Sequence, residues 1–336
     1  MEKVVSVSEF RKVVEQVVKE GETLYVEGPP GVGKSTIIHE VAKEQGKEVI
    51  DIRAVNIDVG DLVMRIPSGD TLKEIVTDAL PRQPGSVIFL DEFRQATPEV
   101  RRLFYQLILD KKLGTTYKVP EGTAIIAASN YSEDVETEEL EGPLYDRFTY
   151  RVKLEPSFNE WKMYMNARYE VGTKITAYLE VFNEDWLLRD EEKRRYATTP
   201  RRWEMVAKYF SNFDYILPSG VSARFKQFLK KMELFQPPAE RYLKKSTEWP
   251  EDVADQYAVA SVVVDELVKK YKEMAVKKIV EADMNCSEQV KAFMLATTLE
   301  KFDRRKLLLS LMKKLTLEEA NKLNELFKAK YGYLLE

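Results

Sequence analysis

The chain has 336 residues, 44% of them hydrophobic and 32% charged, and its 52 basic against 56 acidic side chains leave a net charge of −4. That length implies more than one domain, and the acidic balance excludes a chain that holds nucleic acid by bulk basic charge, although a local basic face stays open. A single cysteine, Cys286, excludes an internal disulfide or a cysteine metal cluster, and a single histidine, His39, excludes a His-pair metal site and reads as an ordinary helix-surface residue.

The first segment, "SVSEFRKVVEQVVKEG", predicts an amphipathic helix. Ser6 and Glu9 suit a capping box, Phe10, Val13, Val14, Val17 and Val18 share one face, and Gly21 stops the helix. The N-terminus lacks a signal-peptide apolar core and no apolar run approaches a membrane span, so a soluble, cytoplasmic protein is expected. "TLYVEG" predicts a short strand, "KSTIIHEVAKEQG" a helix, and "EVIDI" a second strand. "SVIFLDE" is an unbroken apolar run ending in two acids, as suits a strand buried on both faces. Thr97 and Pro98 are an N-cap and first-turn pair for the helix "EVRRLFYQLILD"; "TAIIAASN" predicts a fourth strand and "TYRVKL" a fifth. Strands alternating with helices predict an α/β fold with a mostly parallel sheet sandwiched by helices.

Past Pro156 there is almost no strand signal. "SFNEWKMYMNARY" opens with a Ser157–Glu160 capping pattern, and further helices are predicted at about 174–186, 200–211 and 222–234. "FQPPAERYLKKSTEWPED" reads as a linker, and Lys/Glu-rich helices follow it, the last opened by Thr316 and Glu319. The expected organisation is an α/β core over 1–154, a small helical domain over 155–235 and a helical C-terminal extension over 236–336.

The densest chemistry is in "EGPPGVGKST". Gly28 to Ser35 fits G-x-x-x-x-G-K-[ST], with a strand before it and a helix after it. Glycines let consecutive main-chain N–H groups turn inward around a phosphate chain, and the next helix points its positive end at the same oxygens. The expected nucleotide contacts are Gly28, Pro29, Pro30, Gly31, Val32, Gly33, Lys34, Ser35 and Thr36, with Lys34 reaching the β- and γ-phosphates. Ser35 and Asp91 are the expected Mg²⁺ ligands, Asp91 acting through water, and Glu92 is the expected residue polarising the attacking water. ATP with Mg²⁺ is the expected cofactor; no Asn-Lys-x-Asp guanine-reading stretch occurs, but the choice of ATP over GTP stays open.

The run "VIFLDEFRQATPEVRRLFYQLILDKKLG", with "AIIAASN", "EGPLYDRFTYRV" and "TTPRRWEMVAKYF", resembles AAA+ ATPases of the MoxR family, in the helix-2-insert clade, over about residues 20–235. The resemblance implies that Asn130 is sensor 1, orienting the lytic water, and that Arg147 is an arginine finger entering a neighbouring subunit's site. It also implies that Arg201 is sensor 2, although Arg202 beside it keeps that assignment open. Thr199 and Pro200 place both arginines at a helix start, where the dipole disfavours cations unless an anion faces them. The stretch "RAVNIDVGDLVMRIPSGDTLKEIVTDALPRQPG" is longer than a crossover helix needs and matches the position of the clade's insert, while "KKLGTTYKVPEGT" suits a short hairpin.

The function implied is Mg²⁺-dependent ATP hydrolysis in a homo-oligomeric ring, expected as a hexamer, that remodels a separate and unnamed protein client. The alternatives are an ATP-driven motor on nucleic acid, disfavoured by the acidic balance and the lack of a DNA-reading motif, and a nucleotide-gated scaffold with weak hydrolysis.

Overall fold

The computed structural model describes residues 3–131, 147–190, 195–235 and 239–302, together with Thr316 and Asn321. It divides into two compact units, one of residues 1–157 with 191–195 and one of residues 158–190 with 196–336.

The first unit is built on a six-stranded sheet. Its elements in chain order are β1 (Lys3–Val5), α1 (Val7–Glu20), β2 (Thr23–Glu27), α2 (Lys34–Glu44), β3 (Val49–Arg53), the single-turn α3 (Val59–Leu62), β4 (Val63–Ser68), β5 (Thr71–Val76), β6 (Val87–Asp91), α4 (Pro98–Asp110), β7 (Lys112–Leu113), β8 (Tyr117–Lys118), β9 (Ala124–Ser129) and β10 (Tyr150–Leu154). The strand order is β1-β10-β2-β9-β6-β3, with every pair parallel. All five strands expected from the sequence are present, and the α/β fold is as expected. The sixth, β1, pairs with β10 and was not expected.

The apolar runs of β2, β6 and β9 follow from burial on both faces. Leu24 and Val26 of β2 face Phe10, Val14 and Val17 of α1 and Ile38 and Val41 of α2 in one apolar layer, while Tyr25 between them joins Phe104 and Leu107 of α4 in the other. In β6, Val87 and Phe89 belong to the first layer, Ile88 and Leu90 to the second. The period of two thus survives in space although the residues all read as apolar. Truncating a fully buried side chain here, as in Phe89→Ala, removes about 3–5 kcal/mol.

Helix ends follow their caps. Ser6 Oγ accepts from the Glu9 N–H while the Glu9 carboxylate accepts from the Ser6 N–H, and Gly21 closes α1 at φ 71°. Thr97 Oγ1 accepts from the Val100 N–H at the start of α4. The segment expected as an insert contains an antiparallel hairpin of β4 and β5, pairing Met64 with Ile75 and Arg65 with Glu74, and β7 and β8 form the expected short hairpin.

The second unit is helical, with α5 (Phe158–Arg168), α6 (Gly172–Val181), α7 (Pro200–Lys208), α8 (Ser219–Leu234), α9 (Val253–Tyr271), α10 (Met274–Glu281) and α11 (Glu288–Glu300). Helix α6 stops earlier than its sequence pattern, because Phe182 leaves helical backbone (φ −110°, ψ 60°) and Asn183–Asp185 forms a 3-10 turn. One apolar cluster runs from Met165 to Leu299, with α9 contributing Tyr257, Val259, Val263, Val264 and Leu267. It crosses position 236, so the segments on either side of that position share a core. The opening of a last helix at Thr316 and Glu319 lies outside the described residues, except for Thr316 itself. Among the described residues, no helix is long and apolar enough to cross a membrane.

Candidate nucleotide-binding and hydrolysis site

Strands β2, β6 and β9 are neighbours, and all three end on the same sheet edge. The register puts Glu27 of β2 opposite Ser129 of β9 and Leu90 of β6 opposite Ala127 of β9. The residues that follow these ends are therefore brought together: Gly28 after β2, Glu92 after β6 and Asn130 after β9. The carboxyl ends of parallel strands are where α/β sheets bind ligands.

The phosphate-loop residues turn sharply between β2 and α2. Gly31 (φ 75°) and Gly33 (φ 100°) occupy left-handed backbone, which side-chain-bearing residues adopt only at a cost. Within the chain, the main-chain N–H groups of Gly31, Val32 and Gly33 donate to no other group among the described residues. Helix α2 begins at the next residue and adds its own N-terminal donors. Such a set of inward donors fits an anion of several oxygens.

The buried Lys34 ammonium folds back over the loop. Its Nζ donates to Gly28 O at 2.6 Å, Pro29 O at 3.0 Å and Asn130 Oδ1 at 3.1 Å. Ser35 Oγ donates to Asp91 Oδ2 at 3.4 Å, and Asp91 Oδ1 accepts the Glu92 N–H at 3.0 Å. A hydroxyl beside one carboxylate is a hard oxygen donor pair. It fits Mg²⁺, which keeps waters and phosphate oxygens for its other positions. Among the described residues no group of three or more His, Cys, Asp or Glu side chains forms a metal cage.

Glu92 is itself in left-handed backbone (φ 55°, ψ 36°), a conformation that costs a non-glycine residue about 1–3 kcal/mol and persists where its surroundings fix it. The next residues form a 3-10 turn, Phe93–Gln95, anchored by the buried Phe93 ring against Phe104, Tyr105 and Phe148.

The structure thus brings together Lys34, Ser35, Asp91, Glu92 and Asn130. It does not join Arg147 to them: the guanidinium lies 5.5 Å from the Tyr105 ring centroid, and among the described residues no bond links it to the phosphate loop. The rest of "EGPLYDRF" up to Asp146 lies outside the described residues. Arg201 and Arg202 lie in the second unit, exposed on the first turn of α7, where Thr199 Oγ1 accepts the Arg202 N–H and Arg202 Nη1 donates to Ile216 O. His39 is exposed on α2, its Nε2 3.1 Å from Asp51 Oδ2.

Sequence reasoning missed two buried residues, Glu27 and Arg94, whose Oε1 and Nη1 are 3.0 Å apart. The only signals were an acid closing an apolar strand and a base two positions after an acidic pair.

Residues 24–156 match the protein family described as "ATPase family associated with various cellular activities (AAA)". Among curated relatives, the Holliday junction branch migration complex subunit RuvB of Campylobacter fetus is 30% identical over 139 residues, covering 38% of this chain and 35% of that protein. The replication factor C large subunit of Pyrobaculum calidifontis is 32% identical over 75 residues, covering 22% of this chain and 17% of that protein. The matches thus span about a third or less of the length of these relatives. Among solved structures, NtrX from Brucella abortus in complex with ADP aligns with 91% of this chain and 67% of its own, at 12% identity and a TM-score of 0.40. A Thermotoga maritima RuvB variant aligns with 91% and 86%, at 17% identity and a TM-score of 0.35. The parallel sheet and the phosphate loop at its carboxyl end agree with the match of residues 24–156 to the AAA ATPase family.

Proposed function

We propose that the chain is a Mg²⁺-dependent ATP hydrolase of the MoxR type, working as a homo-oligomeric ring, taken as a hexamer, that remodels a separate protein client. The observation carrying this reading is the junction of Lys34 with Asn130 and of Ser35 with Asp91 at one sheet edge. In this reading the lid is 155–235 and the extension 236–336.

Within the loop from Gly28 to Thr36 the main-chain N–H groups from Gly31 onward bind the phosphates, since Pro29 and Pro30 carry none and the Gly28 N–H is given to Ser129 O, and Lys34 adds a charge-assisted donor. Ser35 and Asp91 hold Mg²⁺, which when bound supplies charge neutralisation on the phosphate oxygens. Glu92 orients and polarises the lytic water, with Asn130 fixing it from the second side. Arg147 acts on the neighbouring subunit's nucleotide, consistent with its position away from its own loop. Arg201 is the sensor 2 residue, with Arg202 turned toward Ile216 O. The exposed apolar side chains Met64, Ile66, Leu72 and Ile75 of the β4–β5 hairpin support a client-facing role for the insert.

The test is phosphate release from ATP with and without Mg²⁺, in the unaltered chain and in Glu92→Gln. Retained nucleotide binding with hydrolysis slowed by orders of magnitude supports the assignment; full activity in Glu92→Gln removes Glu92 from its role.

The likeness to proteins named for branch migration and replication favours a second reading, a motor on nucleic acid. Stimulation of hydrolysis by DNA that falls steeply with salt would establish it over the first.

A further inference from the structure

Arg94 lies two residues past Glu92 and is buried, with its side chain 4% exposed. Its Nη1 is 3.0 Å from Oε1 of Glu27, whose side chain is 8% exposed. The main-chain N–H of the same arginine donates to Ser129 Oγ at 3.2 Å. Glu27 is the last residue of β2, directly before the phosphate loop, and Ser129 is the last of β9, directly before Asn130. The two are paired in register, and the Gly28 N–H donates to Ser129 O at 3.2 Å. One residue therefore ties the turn that follows Glu92 to the strand ends that precede the phosphate loop and Asn130.

A buried ion pair is weak evidence for stability, because apolar residues of similar volume often serve as well or better. The pair has another use here. Glu92 sits in left-handed backbone that relaxes unless both flanks are held. On its N-terminal side the Asp91 carboxylate accepts its N–H. On its C-terminal side Phe93 anchors the turn in the apolar layer, and Arg94 adds a main-chain hydrogen bond to Ser129 Oγ and a buried ion pair between its guanidinium and Glu27.

We infer that Arg94, held by Glu27, is a positioning residue that sets the direction of the Glu92 carboxylate relative to the phosphate loop and Asn130. The inference rests on the ATP-hydrolysis reading above and assigns Arg94 no contact with nucleotide. A misplacement on the ångström scale at a reacting group is enough to slow turnover about a hundred-fold. Lysine at position 94 keeps the charge but loses the planar fork.

The test compares Arg94→Lys and the apolar pair Glu27→Leu/Arg94→Met with the unaltered chain, reading thermal midpoint, ADP affinity and kcat for ATP. The expected result is an ADP affinity close to that of the unaltered chain with kcat lowered about ten- to a hundred-fold in both variants. The decisive readout is a cycle with Glu92→Gln under single-turnover conditions. If Arg94 acts through Glu92, adding Arg94→Lys to Glu92→Gln produces little further loss. Additive losses, an unchanged kcat in Arg94→Lys, or a fall in ADP affinity matching the fall in kcat each overturn the inference. If the apolar pair does not fold, the Arg94→Lys arm and the cycle decide it alone. Absence of hydrolysis by the unaltered chain removes the parent reading and is told apart by that control.

Discussion

Lys34 Nζ donates to Asn130 Oδ1 at 3.1 Å across 96 positions of sequence. The contact joins the start of α2 to the residue after β9, and it holds the ammonium over the loop together with Gly28 O and Pro29 O. Asn130→Ala removes one acceptor from this buried cation. The expected outcome is an ADP affinity little changed and a kcat lowered about ten- to a hundred-fold. Isothermal titration with ADP and a steady-state ATPase assay separate the two. Lys34→Ala, by contrast, is expected to abolish measurable nucleotide binding in the same titration.

Arg147 lies over the Tyr105 ring and, among the described residues, has no bond to its own phosphate loop. A role in the neighbouring subunit makes Arg147→Ala inactive alone but complementary to Glu92→Gln, because each interface draws one group from either side. Mixing the two inactive variants should restore part of the hydrolysis, with the mixed assembly verified by light scattering. No rescue at any mixing ratio would leave Arg147 with its Tyr105 contact as its only supported role.

Much of this was legible in the sequence because strands buried on both faces give unbroken apolar runs. "VIFLD" and "AIIAAS" could hardly be anything else beside a glycine turn and capped helices. β1 was not legible because Lys3–Val5 is too short for a periodic signal and runs directly into α1. The β4–β5 hairpin was seen only as excess length. Its apolar residues Met64, Ile66, Leu72 and Ile75 lie exposed, so the alternation that marks a half-buried strand is absent. The Glu27–Arg94 pair was invisible because partner choice between charges 67 positions apart is decided by sheet register. Lys34, Ser35, Asp91, Glu92 and Asn130 could be picked out by type and spacing; their convergence needed the order β2-β9-β6.

Asp185 predicts where the helical unit is most easily broken. Its fully buried carboxylate accepts from Tyr178 OH on α6 and from Nε of Arg224 on α8 at 3.2 Å, with Arg224 Nη2 as a further partner. Its main-chain oxygen accepts from Trp203 Nε1 on α7 at 2.9 Å and Thr198 Oγ1 at 2.7 Å. Burial and the aspartate push the Tyr178 hydroxyl's pKa well up and keep it protonated as a donor. Asp185→Ala strands the Tyr178 hydroxyl and the Arg224 guanidinium while keeping the main-chain acceptor for Trp203 and Thr198, and is expected to destabilise the unit by about 1–3 kcal/mol. Urea unfolding monitored by tryptophan fluorescence measures it, since Trp203 packs against Tyr178 and Phe225 beside the site.

Glu74 links the two hairpins of the first unit, and its titration is readable as a pH effect. Its Oε1 accepts from the N–H groups of Thr115 at 2.5 Å and Thr116 at 3.1 Å, and from their hydroxyls at 3.0 Å and 3.2 Å. These donors, the Thr115 N–H foremost, lower its pKa from 4.5 to about 2. A carboxylate held below its unfolded value adds stability that is complete above pH 4.5 and is lost as pH falls toward about 2. Glu74→Gln cannot reproduce four acceptances at one charged oxygen, so it is expected to melt earlier than the unaltered chain at pH 7. The gap between the two should narrow steadily below pH 4.5, because the unaltered chain alone loses the charge in that window. Paired thermal melts from pH 7 downward cancel the other carboxylates common to both chains. A gap that is constant with pH would mean that the hairpins are joined by packing and neutral hydrogen bonds rather than by the Glu74 charge.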